Sequence, residues 1–543
     1  MSEPVASVFN DAYVAEVFEA YQRDPESVDD SWRQFFRFAQ QYGQGQSGVR
    51  SPEPADVSTR DSSPAPDKAE LPSPAPGLST PESSPPAGVQ DFARKVVGIS
   101  RYLNSIRRYG YLAVQLDPLG APPYGAAELT PEHYGISEAD LDLVTGTACG
   151  FPHLETGRDV AERLKFRYTR NLAVEFVHCA TEDERQWFRS LFTAEQLTRA
   201  LTDDEKKALL VRLTEVDGLE RFLGRAFSGY KRFSIEGTDA LVPMLDAAIE
   251  ESAAAGARHI AISMAHRGRI NVLAHVLGKP VEQIFGEFQG RHDHLEDIST
   301  GDVKYHLGFE NERVAKTGRT VQLSLMPNPS HLEIVNPILQ GYARAHQRRL
   351  DLHATRDGWA VVPICIHGDA AFPGEGVVAE TFNLANLRAT TVSGTLHIIV
   401  NNQVGFTTDP SDARSTRFAS DLAKGFEMPI LHVNADDAEA CVIAMRIAVA
   451  YRTRFGRDFL VDLVGYRRHG HNEGDEPGYT QPLLYERIRA HPTARQVWGA
   501  RLVREGLVTE AGVNAEDARV AEEFQAKYDA SRAETRTNTS DYP

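Results

Sequence analysis

A chain of 543 residues and 60.0 kDa is too long for one domain and can bury a large core. Its net charge of −18 argues against a general nucleic-acid role, and no apolar run approaches the roughly 20 residues that span a bilayer. Four scattered cysteines without a CxxC pair point away from structural disulfides and zinc, which fits a reducing compartment.

The acidic start, MSEPVASVFNDAYVAEVFEAY, has neither an apolar signal core nor an Arg-rich transit pattern, so a cytoplasmic location is expected. Residues 1–40 read as a short helical module. Phe9, Tyr13, Val17, Phe18 and Tyr21 recur at helical spacing, and Val28, Trp32, Phe35 and Phe36 do so beyond Pro25. Two short helices cannot bury that many aromatics unaided, so they need a partner surface or the chain's own globular body. Residues 41–87 are Pro, Ser, Ala, Gly and acidic, and read as a disordered tether. Residues 88–228 read as helical, with an apolar stripe running into the turn LDPLG at Leu116–Gly120. Arg101, Arg107 and Arg108 suit anions, but a solvated helix face explains them as well.

Residues 229–490 read as an α/β domain, a parallel sheet flanked by helices. A helix over LVPMLDAAIEESAAAG precedes the strand HIAISMAH, and His266, Arg267 and Arg269 then crowd a glycine turn. That cationic turn suits a carboxylate or phosphate, or equally a set of structural salt bridges. His306 ends GDVKYH, and His331 follows the strand TVQLSLMPN in Pro329-Ser330-His331-Leu332-Glu333. A lone histidine is usually a packing residue; three at the ends of motif-like stretches in one domain are harder to read that way. The basic run Arg344–Arg349 reads as an exposed helix.

The densest stretch is residues 361–408. Two β-branched runs, VVPICIHGD and TLHIIVNNQ, flank a Gly-bearing turn and a helical pattern, a strand–helix–strand unit. Ligands of such sheets collect beyond the carboxyl ends of the strands, where Asp369 and Asn401-Asn402 fall. Asp369 offers an anionic oxygen, Asn402 an amide oxygen and Val404 a backbone carbonyl, which together suit Mg²⁺. Gly368, Ala370 and Ala371 would let a diphosphate approach the backbone closely. Asp409–Thr416 reads as a loop that orders around whatever ligand these strand ends hold. A strand, ILHVNADD, a helix and a last strand, FLVDLVGY, follow, ending in Arg468-His469-Gly470-His471. Histidines at that strand end suit proton transfer, or only a phosphate loop or packing. Residues 491–543 read as a charged helical segment with a polar tail.

The words IHGDAAFPGEGVVAETFN and VNNQVGFTT resemble the thiamine diphosphate motif, and specifically the 2-oxoglutarate dehydrogenase E1 family. MAHRGRINVL, GDVKYH, NPSHLE and YRRHGHNEGDEP carry the likeness through the domain, and FNDAYVAEVFEAYQRDPESVDDSWRQFF carries it to the N-terminus. The resemblance implies a thiamine diphosphate-binding fold with thiamine diphosphate and Mg²⁺ as cofactors. Cofactor contacts would come from Arg267, Asp369, Ala370, Ala371, Asn402 and Val404, with metal ligands Asp369, Asn402 and Val404. Ala370 stands where many thiamine enzymes carry Gly, and Ala resembles what this subfamily carries. Phe233, His266, His306, Ser330, His331 and Leu332 would line the substrate pocket, and His266, His331 and His471 would be catalytic. The resemblance also implies docking of residues 9–40 to the E2 dihydrolipoyl succinyltransferase core.

Members of that family continue into a pyrimidine-binding domain whose glutamate activates the cofactor, and no match to it is read here. The expectation is therefore an E1 half, completed by a pyrimidine-domain polypeptide as a homodimer or heterotetramer, or a truncated product inactive alone. The expected reaction is oxidative decarboxylation of 2-oxoglutarate in the tricarboxylic acid cycle, with the succinyl group passing to a lipoyl domain of E2. A 2-oxoadipate or simple decarboxylase relative stays open, since one methylene in a pocket is worth only about 1–3 kcal/mol. A non-enzymatic assembly protein occupying E2 is the contrasting expectation; the unbroken set of pocket residues argues against it. A Mg²⁺ phosphohydrolase at Asp369 would want a second carboxylate cluster, which is not read here.

Overall fold

The computed structural model of the chain describes residues 23–28, 33, 87–170, 172–194, 197–289, 306–350 and 358–538. Most of the expected docking module, the tether and the GDVKY stretch lie outside the described residues. The chain divides into two compact units, one comprising Met1–Ser105 with Ala127–Arg163 and the other Ile106–Ala126 with Leu164–Pro543.

In the first unit, helix α1 (Ala87–Tyr109) buries Ile99, Tyr102 and Leu103. Short 3-10 segments at Pro131–Tyr134 and Glu138–Leu143 accompany it. Tyr102 meets Tyr134 with ring centroids 6.3 Å apart.

The second unit is built on one eight-stranded sheet. Its strands are β1 (Leu172–Glu175), β2 (His259–Met264), β3 (Phe309–Val314), β4 (Thr320–Leu325), β5 (Val361–Gly368), β6 (Leu396–Asn401), β7 (Ile430–Asn434) and β8 (Phe459–Val464). Their spatial order is β1-β7-β8-β6-β5-β2-β4-β3. The six inner strands are parallel and the two edge strands antiparallel. Parallel strands carry helices on their faces and so are apolar throughout, which is why VVPICI, LHIIV and FLVDLV were legible as strands. Every residue of β2, β6 and β8 is buried.

Helices cover the sheet: α2 (Leu241–Ala254), α3 (Val335–Arg349), α4 (Gly376–Leu384) and α5 (Ala438–Phe455), with α2 packed on α5. Phe372 and Phe382 seal the crossover between β5 and β6 in one cluster with Ile399, Ile430 and Leu460. Truncating either ring would cost about 3–5 kcal/mol.

Three local readings differ from the structure. β1 lies inside residues 88–228, read as helical: LAVE is too short to show a period and is a strand only because it pairs with β7. β3 escaped notice because FENERV is a charged, exposed edge strand. The helix carrying Arg344–Arg349 is half-buried, with Leu339, Gln340, Ala343 and Gln347 facing the sheet.

Candidate active site

The register between β5 and β6 creates the site. Gly368 pairs with Val400, so Asp369 and Asn402 leave the sheet side by side. The Asn402 N–H donates to Asp369 Oδ1 at 3.3 Å. Asp369 is 3% exposed. Burial pushes its carboxyl up to about 6, against the pull of the Arg414 guanidinium and the Asn402 N–H. Asn402 Oδ1 is buried and has no hydrogen-bond partner among the described residues. A buried amide oxygen without a donor costs free energy unless something electropositive meets it. Beside an anionic carboxylate, a hard cation is the partner that fits, so the donor set suits Mg²⁺.

The turn after β6 is held from three directions. Gln403, at φ +60°, donates through Nε2 to Asp117 Oδ1 and to Gly465 O, each at 2.9 Å. Asn401 donates from Nδ2 to Asp462 Oδ1 at 3.0 Å. Two residues on, a Cβ added to Gly405 would sit 2.7 Å from Ala370 Cβ, so only glycine lets the turn close on the strand end. Val404, the expected carbonyl ligand, is buried in this turn, as is Ala371 just beyond β5.

Beneath the turn runs a buried polar ladder. Asp462 Oδ2 lies 2.8 Å from His432 Nδ1, and His432 Nε2 lies 2.8 Å from Glu175 Oε1. Lys424 Nζ closes the ladder on Glu175 Oε2 at 2.8 Å. Burial opposes a charge on His432, but the two carboxylates outweigh it and raise its pKa to about 9. Glu175 is driven the other way, to about 2, by His432 and Lys424 against its burial.

A second wall forms at the ends of β2 and β8. Gly268, at φ +78°, turns the chain after β2, and a Cβ there would press on Ile235 at 2.9 Å. The Phe233 ring lies 4.2 Å from the His266 ring and 5.8 Å from the His471 ring, centroid to centroid. Phe233 itself sits at φ +51°, and Glu473 holds it there. The carboxylate of Glu473 accepts three consecutive N–H groups, from Arg232 at 2.8 Å, Phe233 at 3.2 Å and Ser234 at 2.9 Å. Arg267 fastens the same pieces, donating to His471 O at 2.7 Å and Ser234 O at 3.2 Å. Burial and then the nearby Arg467 lower Arg267 to about 10. Burial lowers His266 to about 4, helped by Arg267, and lowers His471 in the same way. Both imidazoles are therefore neutral at pH 7.

The two arginines of the glycine turn part company. Arg267 borders the site, whereas Arg269 is fully buried and donates to the carbonyls of Leu307, Met264 and Met326. Arg269 thus serves the fold alone.

The third wall is the loop between β4 and α3. Met264, Ala265, Asn328, His331, Leu332 and Glu333 border a cleft beside the strand ends. Ser330 and His331 are exposed and Leu332 is half-buried, while His306 is buried with its carbonyl accepting the Asn328 N–H at 3.0 Å. Asn328 Oδ1 is buried without a partner among the described residues. His331 lies 3.5 Å from Glu375 Oε2.

Sequence reading missed the parts that hold these walls: Glu333, Arg467, Asp462, His432 and the clasp made by Glu473. One signal was available. Asp462 in FLVDLV and His432 in ILHVN are ionisable groups inside otherwise apolar strands, and a buried charge requires a partner.

Among the described residues, no helix is long and apolar enough to cross a membrane. The sequence model of the family described as "Dehydrogenase E1 component" matches residues 215–540, and that described as "2-oxoglutarate dehydrogenase N-terminus" matches residues 4–41. The chain is 40% identical over 536 residues to a Bacillus subtilis protein named 2-oxoglutarate dehydrogenase E1 component, covering 96% of this chain and 53% of that protein. A Shouchella clausii protein of the same name is 48% identical over 434 residues, 77% of this chain and 46% of its own length. One from Geobacillus sp. is 41% identical over 544 residues, 96% and 54% respectively. The chain spans about half the length of the curated relatives it matches.

Proposed function

The chain belongs to the dehydrogenase E1 component family, and on that premise we propose that it supplies the metal, diphosphate and oxo-acid sites of a thiamine diphosphate-dependent 2-oxoglutarate dehydrogenase. The observation that carries the reading is the pairing of buried Asp369 with the partnerless Asn402 Oδ1 across two adjacent parallel strands. Asp369, Asn402 and the Val404 carbonyl would hold Mg²⁺, with Ala370, Ala371 and Arg267 beside the diphosphate.

When bound, thiamine diphosphate supplies the electron sink for loss of CO₂ from the oxo acid. The chain's own residues orient and exclude. Phe233 packs on His266 and His471 and keeps water from one side of the pocket. The imidazoles of His266 and His471, neutral at rest, can each accept a proton at a ring nitrogen, and the cation so formed beside Arg267 would give the proton up again readily. Ser330 and His331 would receive the carboxylate end of the oxo acid, with His306 and Leu332 lining the same pocket. The succinyl product would pass to a lipoyl group of an E2 core docked through residues 9–40. The names of the relatives support this reading, as does the match of residues 4–41 to the 2-oxoglutarate dehydrogenase N-terminus.

The test is decarboxylation of 2-oxoglutarate with thiamine diphosphate, Mg²⁺ and an artificial electron acceptor. It is run on the chain alone and with a separately made pyrimidine-domain polypeptide. Turnover that vanishes in Asp369→Ala supports the proposal; failure of the wild type to bind the cofactor at all sinks it.

A further inference from the structure

Glu333 is the only residue of the loop between β4 and α3 with a positive φ, +66°. A β-carbon-bearing residue there costs about 1–3 kcal/mol of strain, so other contacts must impose the conformation. The contacts are those of its buried carboxylate. Oε2 accepts from Asn336 Nδ2 at 2.6 Å and meets His367 Nδ1 at 2.7 Å, while Oε1 accepts the Gly368 N–H at 3.3 Å. The carbonyl of Glu333 accepts the Asn336 N–H at 3.0 Å, which starts α3. One side chain therefore joins three things: the end of the loop bearing Ser330, His331 and Leu332, the first turn of α3, and the residue immediately before Asp369.

The tie reaches deeper into the sheet. His367 Nε2 lies 3.0 Å from His397 Nδ1, and His397 Nε2 lies 3.3 Å from Asp458 Oδ2. Asp458 is fixed in turn by the Thr395 N–H at 2.8 Å. His367 and His397 are both fully buried, so the chain of contacts has no slack. The rim of the cleft is exposed, yet its anchor is attached to buried residues of the central strands.

We propose that Glu333 is a positioning residue that sets the Ser330–Leu332 segment at a fixed distance from the Asp369 strand end, and through that distance determines affinity for a dicarboxylic oxo acid. This rests on the oxo-acid reading of the cleft. Glu333 acts through the loop and through Gly368, not by touching the substrate.

Glu333→Gln tests the idea. The isosteric amide presents one N–H₂ group to a site furnished with donors, so at least one of the three contacts is lost while packing is retained. A lost hydrogen bond to a charged group corresponds to about a 10- to 100-fold change in an equilibrium constant. In the full chain with thiamine diphosphate and Mg²⁺, titration calorimetry should show 2-oxoglutarate binding weakened by about that factor. Cofactor affinity should stay close to wild type, and the melting temperature should fall only by what one lost buried hydrogen bond costs. His397→Gln, two contacts removed, should produce the same pattern at smaller amplitude. Unchanged oxo-acid affinity overturns the proposal, and so does a joint loss of oxo-acid affinity, cofactor affinity and melting temperature, which would mark Glu333 as structural only. If the wild type binds no cofactor, the oxo-acid reading fails separately. Hydrogen exchange of a peptide covering residues 328–334 then decides the positioning by itself: Glu333→Gln must speed its exchange about tenfold, and equal protection overturns it.

Discussion

His432 Nδ1 and Asp462 Oδ2 lie 2.8 Å apart with neither side chain exposed to solvent, and the same carboxylate reaches Asn401 at the head of the turn after β6. The pair is completed by Glu175 on the far side of the imidazole, which makes His432 a cation shared by two anions.

That arrangement gives stability a defined pH dependence. The His432 pKa is raised from 6.5 to about 9 in the folded chain. Its contribution is therefore fully present below pH 6.5 and is lost as pH rises through about 9. Urea unfolding at pH 6 and at pH 9.5 should show the wild type weakening in that window. His432→Gln should lose about 3–5 kcal/mol at the lower pH, since it strands two buried carboxylates, and should show a flatter profile above it.

Asp369 predicts the opposite limb. Its carboxyl titrates at about 6, and only the ionised form can hold a cation. Mg²⁺-dependent binding of thiamine diphosphate should be flat above pH 7 and fall by roughly tenfold per unit below pH 6, as read by calorimetry. Asp369→Asn should abolish the metal dependence. Without metal it should melt no lower than the wild type, because it removes a buried charge whose ionisation burial opposes.

Glu473 holds three amides with one carboxylate, and burial fails to raise its pKa because the Arg232 and Ser234 N–H groups outweigh it. Glu473→Gln should lose about 2 kcal/mol of unfolding free energy. The Phe233 segment should then become the first region to exchange its amide hydrogens.

Gly405→Ala brings a methyl to within 2.7 Å of Ala370 Cβ. Overpacking of this kind costs about 1–3 kcal/mol, here expressed as displacement of the turn from Asp369 and weaker cofactor binding. The double change Gly405→Ala with Ala370→Gly removes one of the two colliding methyls and should restore most of the affinity. No recovery would mean that the turn is not set by this contact.

Much of the fold could be read from the chain because a parallel sheet is apolar on both faces. Strands β2, β5, β6, β7 and β8 therefore announce themselves, and so do Asp369 and Asn402 at their ends. The residues that hold those ends in place were not legible. Glu473 binds Phe233 across 240 positions and His432 binds Glu175 across 257, and no local pattern encodes such pairings. Edge strands β1 and β3 were missed for a related reason: each is a strand by virtue of its neighbour, not its own sequence.

Of these eight strands β8 comes last in chain order, yet it lies between β6 and β7 in the middle of the sheet. Until it arrives, β7 has no neighbour on that flank and the turn at Asn402–Val404 lacks the Gly465 carbonyl that receives Gln403. A nascent chain on the ribosome should thus acquire affinity for thiamine diphosphate abruptly, once residues through about Gly465 have left the exit tunnel, instead of gradually as each ligand emerges.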